Sequence, residues 1–462
     1  MFSQKTYNER RSRLKREVGS GLILLLGLEE SPINFAHNTY PFRQDSSFLY
    51  FFGLNRPGLN TIIDIDENRE ILFGDDLNEE SVIWTVPQQN LSALGEQVGI
   101  EDCRKLDCLE DYLKDHLGKR ILHFLPTFRH DQKATLSRLL NTQTNNDSLP
   151  ASETLTRAVI NQRSYKTEEE IAEIEKAIMV SNVIHTSAMK ISRPKMFEYE
   201  AVGLLEGMNK SLNSRPSFQT IFTVHGEILH NPSYDNQMKA GDLVVHDSGA
   251  ESPNHYAGDI TRTFPVNGKF TDKQREVYTI VLHALEVAMN AVKPGVEFRS
   301  IHRLAGKVIL EGLANLGIIK GNPEEAVEAD IHTLFFPCGL GHMMGLDVHD
   351  MESLGEDYVG YNDLVRRNPN FGWRNLRLGK ALESGNVITI EPGIYFNPRL
   401  TELWKSAGKG KDFVNYSALE SYFDFGGIRI EDDILVADQG YRLLGPAIPK
   451  TIDEIEETCR TE

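Results

Sequence analysis

The sequence is poor in cysteine. Its 462 residues hold four, Cys103, Cys108, Cys338 and Cys459, and no two of them stand at the Cys-x-x-Cys spacing of a metal knuckle. This points to reduced thiols rather than a disulfide framework or a zinc–thiolate site. Positive charge is also short: 49 lysines and arginines face 67 aspartates and glutamates, a net charge of −18. A nucleic-acid binder needs a basic face to neutralise phosphates, and an anionic membrane attracts basic patches, so both partners are disfavoured. No stretch reaches the ~18 apolar residues of a membrane span. The basic "RRSRLKREV" followed by apolar "GLILLLGL" has the charge order of a secretory leader. But the apolar run is short, Glu29 and Glu30 follow at once, and no small-residue cleavage site is evident. The expectation is a buried strand there and a cytoplasmic protein. There is no short tandem repeat, and "AGKGKD" at 407–412 lacks phosphate-loop spacing, so it reads as a solvated lysine loop.

What is present is an ordinary globular composition, 40% hydrophobic and 25% charged, on a chain too long for one core. Residues 1–150 alternate strand-like runs ("GLILLLG", "NTIIDID", "REILFG") with helical patterns such as "CLEDYLKDHL", which reads as an α/β domain. The polar stretch 142–152 is the linker candidate, and residues 151–462 would form a second, larger domain. There, "KTEEEIAEIEKAIMVSNVIHTSAMK" predicts a long helix opened by a Thr167/Glu170 capping box, with Ile171, Ile174 and Ile178 as its apolar stripe. "KQREVYTIVLHALEVAMNAV" predicts another. Trp84, in "SVIWTVPQQ", is expected in the core of its own domain. The alternative is a place on an active-site rim, even that of a neighbouring subunit.

Four strand-like segments carry an acid in an unusual place. "DLVVHDSGA" sets Asp247 on the face of Leu243 and Val245, and "YAGDITRTFPV" sets Asp259 beside Thr261 and Thr263. The loop-like segment between them predicts a hairpin in which the two aspartates face each other across one antiparallel ladder. "NVITIEPGIYF" carries Glu391, and "GIRIEDDILVA" carries Glu431 with Arg429 and Asp433. An acid closing an apolar run is costly if buried unpaired. In "GLGHMMGLDVHD", His342 and His349 stand seven residues apart in a glycine-rich run. Four acids with one glycine-flanked histidine make an oxygen-dominated donor set. It suits manganese, cobalt, iron or zinc, with enough negative charge for two divalent ions. Taken alone, His349, and likewise His230 in "EILHNPS", is read equally well as a partly buried structural histidine.

The segments "HDSGAESPNHYAGDITRTFP", "GLGHMMGLDVHD", "TIEPGIYF" and "GIRIEDDILV" resemble, in chain order, the four motifs of the pita-bread metallopeptidases. "YPFRQDSSFLYFFGL", residues 40–54, resembles the N-terminal signature of the branch that holds Xaa-Pro aminopeptidase (aminopeptidase P) and prolidase. The resemblance spans nearly the whole chain. It implies an N-terminal α/β domain at 1–150 followed by a larger pita-bread (creatinase/aminopeptidase) α+β domain at 151–462 with a dimetal site. Asp247, Asp259, His342, Glu391 and Glu431 would be the metal ligands. Asp259 and Glu431 would bridge two ions, most often manganese, with cobalt or zinc as alternatives. Asp247 would serve one ion, and His342 and Glu391 the other. A hydroxide from the dinuclear centre would cleave the peptide, with Glu391 shuttling the proton. His230 and His349 would hold the substrate, and Arg429 would orient Glu431. The implied substrates are peptides with proline in second position, and the implied assembly is a homo-oligomer, dimer or tetramer. Two other readings remain at this point: a prolidase splitting Xaa-Pro dipeptides, and a metal-free creatinase-like or non-catalytic binding module. Three departures from the family pattern stand out. The step from Asp247 to Asp259 is one residue longer than usual, Cys338 replaces a usual histidine, and residues 352–380 form an Arg/Asn-rich insertion.

Overall fold

Leu22–Leu26 (β1) is apolar at every position, the pattern of a strand covered on both faces, and its first four residues are buried. The computed structural model describes residues 1–77, 81–84, 86, 88–141 and 150–460. In it β1 joins Asn60–Asp64 (β2), Arg69–Phe73 (β3), Asp102–Arg104 (β4) and Leu122–His123 (β5) in one sheet of order β4-β3-β2-β1-β5. The pairs β1–β2 and β2–β3 are antiparallel, and the outer pairs are parallel. Helices Cys108–His116 and His130–Leu139 cover the sheet through Leu109, Tyr112, Leu113 and Leu136, which pack with Leu24, Ile62, Ile71 and Phe73.

The chain divides into two compact units: Met1–Arg163 with Glu352–Gly355, and Ser164–Met351 with Glu356–Glu462. Helix Glu153–Arg163 packs on helix Gln4–Val18 within the first unit. Of the linker stretch expected at 142–152, residues 142–149 lie outside the described residues. Trp84 is not in the core of its unit. It ends a single helical turn, Ser81–Trp84, and is 85% exposed, with Ile83 and Val86 also turned outward.

In the second unit the long helix runs over Glu168–Ile191, with the capping box of Thr167 and Glu170 formed and Ile171, Ile174 and Ile178 buried. A second box, Thr271 with Gln274, starts helix Asp272–Ala291, which packs on helix Phe298–Asn315. Among the described residues the unit also holds four small antiparallel sheets. Arg215–Pro216 (β6) pairs with Ala250–Glu251 (β9). Ile221–Thr223 (β7), Leu243–Ser248 (β8) and Ile260–Pro265 (β10) form a sheet of order β10-β8-β7. Val387–Ile390 (β11), Asp432–Ala437 (β14) and Gly440–Leu443 (β15) form one of order β11-β14-β15, and Gly393–Tyr395 (β12) pairs with Gly427–Arg429 (β13). The N–H of Glu431 donates to Thr261 O (3.1 Å), which joins the two three-stranded sheets.

Candidate metal centre

Asp247 and Asp259 lie on the same face of the β8–β10 ladder, but not opposite one another. The register pairs Asp247 with Thr261, so Asp259, two residues before Thr261, is its diagonal neighbour. The hairpin turns at residues 252–256, where His255 takes a left-handed backbone (φ 68°) and Ser252 N–H donates to Tyr256 O (2.8 Å). Asp259 is fixed from behind by its own N–H, which donates to Asp433 Oδ2 (2.9 Å).

His342 reaches the same place from a loop laid along β11. Its carbonyl accepts from Thr389 N–H (3.1 Å), its N–H donates to Thr389 Oγ1 (3.2 Å), and Glu391 N–H donates to Leu340 O (2.8 Å). A Cβ on Gly341 would stand 2.0 Å from Thr389 O, so only glycine lets the two backbones approach. His342 Nδ1 lies 3.1 Å from Met343 O, and a carbonyl can only accept. Nδ1 therefore carries the proton, and the lone pair of Nε2 points inward, 3.4 Å from Asp259 Oδ2 and 3.7 Å from Glu391 Oε1. Glu431 sits in the short break between β13 and β14 and accepts from Thr261 Oγ1 (2.7 Å). One donor atom from each of Asp259, His342 and Glu431 lies within 4.8 Å of the others, and all three residues are buried.

Arg429 does not lie against Glu431 as expected. Its guanidinium bonds Asp247 Oδ2 (2.6 Å), Tyr395 Oη (2.9 Å) and Thr261 Oγ1 (3.1 Å), and that threonine in turn donates to Glu431. The cause is the pairing of β13 with β12, which sets Arg429 opposite Gly393 and leaves its side chain free to cross to β8. Tyr395 carried no signal that set it apart in the sequence. Cys338 packs beside it, Sγ 3.9 Å from Tyr395 Oη, and burial pushes its thiol up to about 12. His349 is half-buried, its ring 4.3 Å from that of His342 in an edge-to-face contact. His230 stands on an exposed turn after β7, within electrostatic reach of Arg429, Asp247 and His349.

The acids here outnumber their cations. Burial and then the neighbouring Asp247 push the Asp259 carboxyl well above the usual range. Burial and then Asp259, Glu391 and Asp247 do the same to Glu431. Burial brings Glu391 to about 8, with Asp259 and Asp247 adding to the rise and Arg429 opposing it. One oxygen each of Asp247 and Asp259 is buried with no hydrogen-bond partner. Crowded carboxylate oxygens, two of them orphaned, beside an inward imidazole lone pair are the donor set that hard and borderline divalent cations take. The residues fit such an ion, and Asp247, Asp259, His342, Glu391 and Glu431 are the groups that would hold it.

Residues 172–438 match the family described as Metallopeptidase family M24, and residues 7–123 match the Aminopeptidase P, N-terminal domain. The chain is 32% identical over 452 residues to the Xaa-Pro dipeptidase of Homo sapiens, with 95% of this chain and 88% of that protein covered. It is 32% identical over 472 residues to the Xaa-Pro aminopeptidase of Escherichia coli (strain K12), with 98% and 97% covered. Among solved structures it is similar to zinc-substituted E. coli aminopeptidase P in complex with product, at a TM-score of 0.82, 30% identity and 100% of both chains. These likenesses bear out the expected order of an N-terminal α/β domain followed by a pita-bread α+β domain.

Proposed function

The chain belongs to metallopeptidase family M24, and on that premise we propose that it is an Xaa-Pro aminopeptidase, releasing the N-terminal residue from peptides with proline in second position. It is an enzyme that works with divalent metal ions. The reading is supported most directly by the convergence of Asp259, His342 and Glu431 in a buried pocket of surplus acid. In this reading two ions are held, with manganese the first candidate and cobalt or zinc the alternatives. When bound, they supply Lewis acidity and a water of lowered pKa.

The chain's own groups do the rest. Asp259 and Glu431 would serve both ions, Asp247 would serve one, and His342 and Glu391 the other. Arg429 holds Asp247 in orientation. Glu391 would take and return a proton during the reaction. His349, beside His342, and His230 donate to the substrate. Residues 1–150 act by shape and assembly, and residues 151–462 carry the chemistry. The protein works in the cytoplasm as a homo-oligomer, dimer or tetramer. The exposed Trp84 is the first anchor to test for assembly, by sedimentation of Trp84→Ala.

The second reading, a dipeptidase restricted to Xaa-Pro, is favoured by the equal identity to the human Xaa-Pro dipeptidase. The deciding experiment is turnover of Xaa-Pro against Xaa-Pro-Yaa peptides on a preparation of measured metal content. Efficient cleavage of the tripeptide supports the aminopeptidase, and cleavage of the dipeptide alone supports the alternative. A metal-free, chelator-treated protein with full activity sinks both and leaves the creatinase-like alternative.

A further inference from the structure

The Lys166–Asp350 ion pair is buried to a degree unusual for two full charges. Nζ lies 2.9 Å from Oδ2, and each side chain is 1% exposed. Desolvation cancels most of the Coulomb attraction in such a pair, so its presence is poorly explained by stability. Its surroundings suggest another use. Asp350 closes the histidine loop on itself: its N–H donates to Met343 O (2.9 Å), and its Oδ1 accepts from Asp347 N–H (3.3 Å). Lys166, one residue before the cap of the long helix, ties that closure to the turn ahead of β11 through its own N–H, which donates to Gly385 O (2.9 Å). The pair presses directly on the loop backbone. A Cβ on Gly345 would lie 2.6 Å from Asp350 Oδ2 and 2.9 Å from Lys166 Cε. Gly345 O in turn accepts from Ala257 N–H (2.8 Å), two residues before Asp259.

We infer that Lys166 and Asp350 are positioning residues, a clamp that holds the 342–350 loop in the one shape that keeps His349 against His342. The inference rests on His349 serving turnover, as proposed above. Asp350 acts on His349 as its chain neighbour, and Lys166 acts through Asp350.

The test uses the metal-loaded enzyme. Lys166→Met or Asp350→Asn alone strands a buried charge and risks unfolding, so the informative variant is the charge-balanced Lys166→Met/Asp350→Asn. It is expected to keep the wild-type metal content and a KM within about twofold while kcat falls about 10–100-fold, the usual cost of losing an orienting partner. Made again in a His349→Ala background, the double change is expected to lower kcat no further, because both act through one ring. A second readout needs no turnover: in metal-free protein with 15N-labelled histidine, the His349 imidazole resonances should move while those of His185, buried on the long helix, stay. Unchanged kcat, an unmoved His349 resonance, or the same fold-loss in the His349→Ala background would overturn the clamp. If His349→Ala itself turns over at the wild-type rate, the role of His349 falls, and the clamp with it. If His349→Ala is slow and the losses multiply, only the clamp falls.

Discussion

The two units bury acid in opposite ways. In the N-terminal unit Asp64 is fully buried, which by itself would raise its pKa. Bonds from Arg120 (2.8 Å), Glu67 N–H (3.1 Å) and Tyr112 Oη (2.9 Å) override burial and hold it below the usual range. Glu70 is held down in the same manner by Arg11 (2.7 Å) and Lys15 (2.9 Å). In the second unit Asp259, Glu391 and Glu431 are raised, because burial and mutual repulsion exceed what Arg429 offsets. Nor is this a general property of that unit. Asp432, next to Glu431, has Arg262 (2.7 Å) and Lys450 as partners and is lowered despite burial. Among the described residues, buried acids left in such a deficit beside acids satisfied from within mark a place for external cations.

The comparison breaks most sharply at Asp259. Asp259→Ala is expected to lower kcat/KM on the order of 10³-fold or more and to reduce the bound metal, because in the proposed arrangement its one side chain would serve both ions. Near-normal activity with full metal content by elemental analysis would show that the surplus acid at this position is not a ligand. Next comes His349→Ala, expected to retain the metal and lose ~10²–10³ in kcat, the cost of one donor to a developing oxyanion. Loss of an ion in that variant would mean the histidine roles are exchanged.

A smaller, graded effect sharpens the contrast by pH. Glu391, at about 8, holds a proton at pH 7 in the metal-free protein, so ions must displace it. Metal affinity is expected to rise as pH climbs towards 8. Calorimetry at pH 7 in buffers of different ionisation heat should report proton release on binding, and no release would contradict the raised carboxyls. The smallest effect on function is expected in the other unit. Asp64→Asn should cost about 2 kcal/mol of stability at neutral pH, within the usual range for breaking a buried, hydrogen-bonded charge, while metal content and kcat stay at wild-type levels. Because the folded pKa of Asp64 is lowered, its contribution is present above its ordinary pKa of 3.8 and is lost as pH falls through the lower folded value. The melting temperatures of wild type and Asp64→Asn should therefore converge in acid. A loss of metal in Asp64→Asn would show that the two groups of acids are not independent.

What the sequence alone determined is local. The capping box at Thr167, the isoleucine stripe behind it, the unbroken apolar run of β1 and the period-2 strands that end in acids follow from spacings of two to four residues. The order of the motifs pointed to the family in the same way, because each motif is a continuous segment. Tertiary structure decided which side chain meets which. Asp247 faces Thr261 because of the β8–β10 register, and Arg429 turns to Asp247 because β13 pairs with β12. Lys166 finds Asp350 across 184 positions, and Trp84 lies outside the domain core in which it was expected. The surplus of acid was likewise invisible in the composition, where Asp259 and Asp432 count the same. Only the packing that gives Asp432 two cations and leaves Asp259 beside other carboxylates separates them, since the energy of a buried charge depends on the partners that distant segments bring to it.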